Sequence, residues 1–489
     1  MKSLKTGQNI LYNIRKTGQN ILKSIVKTGQ NDIQYTWRYE FMFRKDSITI
    51  KEWIESSDKA LLVTGARQIG KTWLIRDEID KSGFKRFEIN FIDQPDMIDF
   101  LNTEISAEDF LVKLKMIMPE EYKPHKTVVF FDEIQKCPEI VTKIKFLVDE
   151  GSFKYAMSGS LLGVELKSIA SAPVGYLSIT RMYPMDFEEF MIANGVSKTT
   201  LDMLKDKFKT CQPVDDFIHQ KLLSLFFVYL IVGGMPDAVK KYIETKDIRE
   251  VDKIQKDIVT LYKEDFSQYE HEDKKLRLKS IYEIVPAELN KQNKKFVFTM
   301  LNKELKFDRY ENSFLWLKDA GVVIPVYNVE SPAIPLLASK SSNVFRLFSS
   351  DIGLLTSAYP AETKIELISQ NGEVNNGAHF ENAVAQQLLA NGFDPYFCKK
   401  KNLGELDFLI EMDGKIIPIE VKSGKDYKSH KALDNYMKVP DYHLESAYIF
   451  SIYNVEKEGN IINLPIYMCY LLKEPKIDPL IVDLDMSDL

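Results

Sequence analysis

The sequence lacks paired cysteines, clustered histidines and long uncharged apolar runs. Its four cysteines are Cys137, Cys211, Cys398 and Cys469, with no CxxC pair among them, and its six histidines are dispersed. This spacing argues against a disulfide scaffold or a zinc cluster and fits a reducing cytoplasm. No run approaches the ~18 uncharged apolar residues of a membrane-spanning helix, and no secretory signal is recognisable. We therefore predict a cytoplasmic protein without a membrane partner.

An excess of charge of one sign is also absent. The chain has 65 Lys and Arg residues against 71 Asp and Glu residues, for a net charge of −6. A bulk electrostatic attraction to nucleic acid is therefore not expected, whereas a local basic patch remains open. With 489 residues, of which 45% are apolar, the composition is that of a globular protein, and the length predicts about three domains.

The first forty residues are repetitive. KTGQNIL occurs at residues 5–11 and 16–22, and KTGQN returns at residues 27–31. The eleven-residue period and the basic side chains would suit a surface helix, but each repeat contains a Thr-Gly pair that disfavours one. We predict that residues 1–41 are a disordered leader, or a stretch upstream of a natural start at Met42, and we assign no function to them.

One segment carries a phosphate-binding motif between a strand and a helix. Residues 60–64 (ALLVT) predict a buried strand, GARQIGKT follows, and residues 73–81 predict a helix. Glycines let the backbone turn its amides towards phosphate oxygens at the positive end of the helix. Lys71 brings a charge to the β- and γ-phosphates, and the Thr72 hydroxyl can ligate magnesium. The alternative is a glycine turn before a lysine-capped helix. The predicted ATP-binding residues of this loop are Gly65, Ala66, Arg67, Gln68, Ile69, Gly70, Lys71 and Thr72.

A second segment places carboxylates at the end of another buried strand. Residues 127–131 (TVVFF) are a continuous apolar run, as in strands covered on both faces, and Asp132 and Glu133 follow. We predict that Asp132 organises magnesium and that Glu133 activates water. The alternative is a pair of solvated carboxylates that cap the next helix. A third strand, residues 154–157, leads to Ser158, whose hydroxyl could sense the γ-phosphate, although a plain turn explains that segment as well.

Five motifs follow one another along the chain: GARQIGKT, VVFFDEIQ, MSGS, MYPMDFEEF at residues 182–190 and YLIVGGMPDAV at residues 229–239. Together they resemble the AAA+ ATPases whose carboxyl-terminal half is classed as domain of unknown function 4143, and the resemblance spans about residues 43–470. It implies an AAA+ fold with ATP and Mg²⁺ as ligands. It also implies that Gly233, Gly234 and Pro236 are lid contacts near the nucleotide base, although a helix stop followed by a helix start fits them equally.

The sequence departs from this family at one point. Many members carry Gly-Arg after the sensor strand, whereas Gly175 is followed here by Tyr176. Arg181 is a poor substitute for an arginine finger acting in trans. Intersubunit catalysis and the oligomeric state therefore stay open.

The middle of the chain is predicted to be mostly helical. We place the P-loop core at residues 42–195, a helical lid at 196–270 and a winged-helix-like module at 271–350. Between Lys274 and Tyr310 there are ten basic residues against four acidic ones, and a basic surface of this kind can bind a DNA backbone. The alternative is a solvated charged face of an interdomain lid.

The carboxyl-terminal domain, residues 351–489, contains a predicted β-hairpin. Asp413-Gly414 is a strong two-residue turn signal between apolar-rich strands, so the numbers of cross-strand partners should sum to 827. In this register Asp407 faces Glu420 and Glu405 faces Lys422, with all four charged side chains on one side of the hairpin. Two carboxylates so close repel each other unless a cation or a proton offsets the charge.

This arrangement resembles the PD-(D/E)xK nuclease signature, an aspartate followed after twelve residues by Glu-Val-Lys. By that resemblance Asp407 and Glu420 would bind magnesium and Lys422 would position or activate water. Glu381, near the start of the helix predicted at residues 379–389, is the third carboxylate that the signature expects. The alternative is a salt-bridged hairpin in which Lys422 pairs with Glu405 and Lys425 pairs with Asp407.

The sequence thus predicts an α/β protein. It joins an AAA+ P-loop domain with a parallel sheet to a helical and winged-helix middle and a restriction-endonuclease-like α/β domain. The predicted function is Mg²⁺-dependent ATP hydrolysis coupled to a DNA-binding or nuclease-like domain, with DNA, a protein or a second copy as candidate partners. The alternative is a nucleotide-gated protein-interaction switch with an inert nuclease-like scaffold. A simple P-loop kinase is disfavoured because nothing specifies a phosphoacceptor pocket.

Overall fold

The computed structural model describes residues 43–101, 106–160, 174–266, 272–291, 296, 310–369, 376–424 and 426–474. The predicted leader, Lys425 and, apart from Phe296, the segment 292–309 lie outside the described residues. The described residues from Arg44 onward belong to one compact unit. Across this part of the chain, no helix combines the length and the apolarity needed to cross a membrane.

The first sheet has five parallel strands in the order β2-β3-β4-β1-β5. Every residue of its strand at residues 127–132 is buried, as expected for a parallel strand covered on both faces. The strand that precedes the P-loop and the strand that ends in Asp132 lie in this one sheet, separated by one strand, and their carboxyl ends share an edge. The elements of this region are β1 (Ala60–Thr64), β2 (Lys85–Asn90), β3 (Thr127–Asp132), β4 (Lys154–Ser158), β5 (Leu177–Arg181), α1 (Asp46–Ser56), α2 (Lys71–Ser82), α3 (Asp96–Leu101), α4 (Ala107–Ile117) and α5 (Glu139–Glu150).

A helical region follows the first sheet. Its first helix begins with a capping box in which Asp186 and Glu189 bond each other's backbone amides. The longest apolar run of the sequence lies in the helix at residues 216–232, and most of its apolar side chains are buried in the protein interior. The helices are α6 (Phe187–Ala193), α7 (Lys198–Thr210), α8 (Asp216–Val232), α9 (Pro236–Thr245), α10 (Ile248–Asp265), α11 (Glu272–Leu289) and α12 (Glu311–Asp319).

The second sheet is mixed and has eight strands in the order β12-β13-β11-β10-β9-β8-β6-β7. The strands at residues 323–329 and 340–349 fall within the module that we predicted at residues 271–350. They nevertheless belong to the same sheet as the strands of residues 351–489. The elements of this region are β6 (Val323–Val329), β7 (Lys340–Ser349), β8 (Tyr396–Lys400), β9 (Gly404–Met412), β10 (Lys415–Val421), β11 (Ala447–Ser451), β12 (Glu456–Glu458), β13 (Ile461–Pro465), α13 (Ile352–Ser357), α14 (Ala361–Ser369), α15 (Gly377–Ala390) and α16 (Lys431–Met437).

The β9–β10 hairpin has the predicted register from its turn to Ile419 opposite Phe408, and the predicted pairs Asp407–Glu420 and Glu405–Lys422 lie beyond these paired residues. Its partners run from Lys415 opposite Met412 to Ile419 opposite Phe408, so each pair sums to 827. Asp413 and Gly414 have φ values of 56° and 69°, as a type I′ turn requires. The hairpin is buried more fully than predicted, because β10 is buried from its second residue to its last and α16 shares a core with residues on the face of the charged side chains.

Helix α15 connects the surroundings of the two sheets. The Gln387 side chain accepts a hydrogen bond from the backbone amide of Phe187, at 3.0 Å, and donates to the Tyr229 hydroxyl at 3.2 Å. The Tyr229 hydroxyl in turn donates to the carbonyl of Met185, at 2.9 Å. The helix that carries Glu381 is therefore hydrogen-bonded directly to the MYPMDFEEF segment of the amino-terminal region.

Candidate functional site

The P-loop, residues 65–72, connects β1 to α2 and needs glycine at its first position. Gly65 has a φ of +136°, and a Cβ there would lie 2.3 Å from the carbonyl oxygen of Met182. Gln68 and Gly70 also have positive φ values, 61° and 90°. The loop therefore wraps tightly around the amino terminus of α2, where free backbone amides form a site for anions.

Lys71 lies inside this loop. Its side chain is buried, and its ammonium group donates to the carbonyl oxygens of Gly65 at 3.1 Å and Ala66 at 2.7 Å. Burial lowers the pKa of Lys71 to about 8, while the charges of Glu133 and Asp132 act in the opposite direction. The amine is thus held inside the P-loop by two backbone carbonyls, where the charges of Glu133 and Asp132 act on it.

Asp132 gathers three polar side chains around its carboxylate. The Thr72 hydroxyl donates to Oδ1 at 3.0 Å, the Ser158 hydroxyl donates to the same oxygen, and the Asn90 amide donates to Oδ2 at 3.0 Å. Burial raises the pKa of Asp132, and the hydrogen bonds from Ser158 and Thr72 oppose that shift. The predicted residues Thr72, Asp132 and Ser158 are therefore in mutual contact. Asn90 was missed, although a polar residue that ends a strand is the type of signal that found Asp132.

Glu133 follows directly and has a left-handed backbone, with a φ of 55°. Its carboxylate accepts a hydrogen bond from the Gln135 amide, and that amide also lies 3.4 Å from the Ser160 hydroxyl. The side-chain oxygen of Gln135, Oε1, is buried without a hydrogen-bond partner among the described residues. The charge of Glu133 acts on the Lys71 amine, and the Gln135 side-chain amide orients the Glu133 carboxylate.

A buried arginine that sequence analysis missed holds the P-loop from behind. Arg44 is 3% exposed and donates to the carbonyl oxygens of Ile69 and Tyr183, both at 2.6 Å. Its Nε atom also donates to Glu189 at 3.2 Å. No local motif announces Arg44, because its partners are up to 145 residues away in sequence.

The predicted lid turn between α8 and α9 is tightly packed. The Gly234 amide donates to Asp351 at 2.6 Å, and its carbonyl accepts from the amide of Met185 at 2.7 Å. A Cβ at Gly234 would lie 2.0 Å from the Met185 carbonyl oxygen. The segment does end one helix and begin the next, and Pro236 lies beside the P-loop, with its Cγ 3.8 Å from where a Cβ of Gly70 would be.

A second cluster of charged side chains lies at the hairpin and α15, and it contains an arginine that we did not predict. Arg346 on β7 is 2% exposed and pairs with Glu381 at 3.5 Å, Asp407 at 3.7 Å and Glu405. Lys422 pairs with Glu420 at 2.8 Å. The alternative reading, a salt-bridged hairpin, expected Lys422 to pair with Glu405, but Glu405 pairs with the buried Arg346 guanidinium and Lys422 pairs with Glu420.

Glu420 is the most perturbed carboxylate of this second cluster. Burial raises its pKa to about 8, with a further contribution from the charge of Asp407, while Lys422 acts in the opposite direction. One Glu420 oxygen is buried without a hydrogen-bond partner in the described part of the chain. Asp407 is itself bonded to the backbone amide of Val421 at 3.0 Å. Within the described ranges, no group of three or more His, Cys, Asp or Glu side chains is arranged to hold a metal ion.

The first sheet and its loop have the features of a P-loop nucleotide-binding domain, and comparison with protein families agrees. Residues 57–191 match the family described as AAA domain. Residues 223–365 match domain of unknown function 8612, and residues 376–468 match domain of unknown function 4143. The chain therefore carries a domain similar to the AAA domains, followed by two domains of unknown function. The prediction of an AAA domain and of domain 4143 is confirmed, and domain 8612 was not anticipated.

Similarity to solved structures is distant. A Walker-type ATPase of Pyrococcus abyssi has 14% sequence identity and a TM-score of 0.38, over 66% of this chain and 97% of that chain. The RuvB Holliday junction branch migration motor of Thermotoga maritima has 14% identity and a TM-score of 0.28, over 58% and 90% of the two chains. The Hsp104–ADP complex of S. cerevisiae has 14% identity and a TM-score of 0.25, over 56% and 38%. Comparison with curated proteins gives no match.

Proposed function

We propose that this protein binds ATP with Mg²⁺ at the P-loop and hydrolyses it. The observation that carries this proposal is the contact between the Thr72 hydroxyl and the Asp132 carboxylate, at 3.0 Å, at the amino terminus of α2. This contact connects the phosphate-binding loop, which follows β1, to the acidic carboxyl end of β3 in the same sheet. Hydroxyl and carboxylate oxygens are the donors that a hard divalent cation prefers, so these residues fit Mg²⁺.

Each side chain has a distinct role in this proposal. The loop amides and Lys71 bind the phosphates, and Thr72 and Asp132 hold the magnesium ion, which supplies charge neutralisation when bound. Glu133 orients and activates the attacking water as a general base. We propose that the Ser158 hydroxyl senses the terminal phosphate, and its hydrogen bond to Asp132 supports this role.

The lid turn contributes indirectly. Pro236 is proposed to contact the nucleotide because it lies beside Gly70 of the P-loop. Both backbone polar groups of Gly234 are already used by Met185 and Asp351. We therefore propose that Gly234 acts by holding the turn that presents Pro236.

Variants of Lys71 and Glu133 test ATP hydrolysis. Lys71→Ala should weaken ATP binding by at least about 10-fold, because a charge-assisted contact is lost, and should abolish turnover. Glu133→Gln should retain ATP affinity while turnover falls by about 10²- to 10⁴-fold, the usual contribution of a general base. Calorimetry and phosphate release measure the two effects.

Matched controls are Lys81→Ala, at the other end of α2, and Glu139→Gln, an exposed glutamate at the start of α5. Full turnover by Lys71→Ala would refute the assignment.

We propose further that the carboxyl-terminal cluster is a nuclease-like site whose use is coupled to ATP. Support comes from the convergence of Glu381 and Asp407 on Arg346 and from the ion pair between Lys422 and Glu420. Asp407 and Glu420 would hold Mg²⁺ in this role, and Lys422 would position water. The basic side chains between Lys274 and Tyr310, in the proposed winged-helix module, would bind DNA.

The competing proposal is a nucleotide-gated interaction switch in which the nuclease-like domain is an inert scaffold. Arg346 supports it, because a buried guanidinium already neutralises the carboxylates that would otherwise attract a metal ion. Plasmid nicking, DNA affinity at low salt and DNA-stimulated ATP turnover decide between the two. The nuclease proposal expects nicking that Lys422→Ala abolishes while ATPase activity remains. Absence of nicking and of DNA affinity in an active ATPase favours the switch.

A further inference from the structure

The P-loop carries an arginine whose side chain is held by the end of α10. Arg67 Nη1 forms an ion pair with Asp265 Oδ1, and Arg67 Nε donates to the Ser160 hydroxyl at 3.1 Å. The hydroxyl of Tyr262, one turn earlier in α10, donates to the Arg67 carbonyl oxygen at 2.9 Å. The last turn of α10 therefore contacts both the backbone and the side chain of Arg67.

Arg67 lies in the same electrostatic field as the groups proposed for hydrolysis. Its hydroxyl partner Ser160 is 3.4 Å from the Gln135 amide that binds Glu133. Burial is the largest cause that lowers the pKa of Lys71, and the charge of Arg67 lowers it further. Arg67 is thus connected to the carboxylate that would activate water through Ser160 and Gln135, and the charge of the same carboxylate acts on Lys71.

Asp265 is a poorly solvated partner for this arginine. Its side chain is 8% exposed. Burial raises its pKa, Arg67 lowers it, and the nearby charge of Glu133 raises it again. Arg67 therefore favours the ionised form of Asp265, and a stronger anion within reach of Arg67 would compete for the same guanidinium.

We propose that Arg67 binds the terminal phosphate of ATP and that Asp265 holds Arg67 while that phosphate is absent. This inference rests on the proposed ATP site and adds a cis-acting arginine to it. The guanidinium fork suits phosphate oxygens, and a terminal phosphate carries more negative charge than one carboxylate. Arg67 then supplies, from within its own chain, the charge that an arginine finger supplies elsewhere.

The exchange of partners by Arg67 would also change how α10 is attached to the P-loop. When Arg67 turns to the phosphate, α10 loses the ion pair between Asp265 and Arg67, while the hydrogen bond from Tyr262 to the Arg67 carbonyl oxygen remains. The residue after α10, Phe266, packs edge-on against Trp316 of α12 with ring centroids 5.5 Å apart. ATP and ADP would therefore differ in how firmly the end of α10 is held.

Affinities for ATP and ADP, together with turnover, test this proposal on the full-length protein. Arg67→Ala should reduce the preference for ATP over ADP by about 10-fold or more, because a charged hydrogen bond to the terminal phosphate is lost. Turnover should fall by at least about 10²-fold, below the effect of arginine fingers because charge from Lys71 remains. ADP affinity should stay within about twofold of wild type, since phosphate charge is otherwise met by the loop. Arg67→Lys should recover part of the turnover.

Asp265→Asn tests the holding role separately. It should raise the preference for ATP over ADP and retain turnover, because it removes the competitor for Arg67. Asp252→Asn is the matched control: it breaks ion pairs to Lys256 and Lys364 elsewhere on α10 and should leave the preference unchanged.

The outcomes separate this inference from the ATPase proposal. If wild type hydrolyses ATP and Lys71→Ala does not, but Arg67→Ala keeps both the ATP preference and the turnover, the role of Arg67 is refuted and the ATPase proposal stands. If Arg67→Ala loses ATP and ADP affinity equally, Arg67 acts only on loop structure and the inference also fails. Nucleotide-free thermal unfolding of each variant shows whether the loop remains folded.

Discussion

Single buried charges decide the chemistry of both clusters. Asp132 is buried, yet its carboxylate receives hydrogen bonds from Thr72, Ser158 and Asn90. Arg346 is buried, yet it faces carboxylates on α15 and β9. A buried side chain stays charged only when its partners compensate for the free energy of hydration that it loses. Each buried charge therefore requires oppositely charged or hydrogen-bonding neighbours.

Replacement of Arg346 tests whether it neutralises the carboxyl-terminal cluster. Arg346→Met should lower the free energy of unfolding by about 3–5 kcal/mol, because the buried carboxylates lose their counter-charge. Lys399→Met is the matched control, since Lys399 also pairs with Glu405 but is 50% exposed, and it should cost less than about 1 kcal/mol. Urea unfolding at neutral pH measures both. Equal, small effects would show that Arg346 is not needed for charge balance.

Among the elements, the α8–α9 turn shows how packing creates a need for glycine. Gly233 has a φ of +70°, and a Cβ on it would lie 2.3 Å from an Asp351 oxygen. Gly234 meets the Met185 carbonyl even more closely. Asp351 caps α13 by accepting from the Leu354 amide and also accepts from Gly234. One carboxylate thus joins a helix start to the lid turn.

Substitution of Gly234 should disturb this turn. Gly234→Ala places a methyl group against the Met185 backbone, and we expect a loss of about 2–3 kcal/mol of stability from overpacking. ATP affinity should fall as well, because Pro236 is displaced from the P-loop. Gly175→Ala is the control, since a Cβ there meets no atom of the described residues within 4 Å. Thermal unfolding and ATP titration measure the effects, and a Gly234→Ala protein of wild-type stability would contradict the packing account.

Asp351 should make stability depend on pH. Burial raises its pKa to about 6, and hydrogen bonds from backbone amides, among them that of Gly234, oppose the shift. Because the folded pKa exceeds the unfolded value, the contribution is full below pH ~4 and is lost as the pH rises through ~6, by up to about 3 kcal/mol.

Urea unfolding between pH 4 and 7 checks this dependence. The stability difference between wild type and Asp351→Asn should shrink as the pH rises, since the asparagine variant lacks the titration. The exposed Asp394 provides the control variant, Asp394→Asn, which should run parallel to wild type. A difference that stays constant with pH would show that Asp351 does not titrate in this range.

At the scale of the whole molecule, polar side chains of α15 join the AAA domain to the second sheet. Asn382 bonds both backbone groups of Ser349, at 2.7 and 3.1 Å, and Gln386 accepts from the Ile352 amide at 2.9 Å. Gln387 reaches Phe187 in the amino-terminal region. Buried amides of this kind must all be satisfied together, which favours cooperative unfolding of the two regions.

Hydrogen exchange of the full chain tests this cooperativity. Gln387→Leu leaves the Phe187 amide without its acceptor and should cost about 1–3 kcal/mol. Protection of β3 in the first sheet and of β10 in the second should fall by the same factor. Gln220→Leu, an exposed position on α8, should change neither. A loss of protection confined to one sheet would show that the two regions unfold independently.

The sequence by itself determined the features that depend on near neighbours. β1, the loop at residues 65–72 and the acidic end of β3 follow from local patterns, and the hairpin register follows from the Asp413-Gly414 turn. Conformational preferences and periodicity act over a few residues, so a single chain displays them.

Tertiary structure decided which distant residues complete each site. Arg44 and Asp265 reach the P-loop from distant parts of the chain, Asn90 reaches Asp132 from the end of β2, and Arg346 enters the second cluster from a strand that we assigned to another module. A buried charge selects its partners by proximity in the folded chain and by the cost of leaving it unpaired, and neither quantity is written in local sequence.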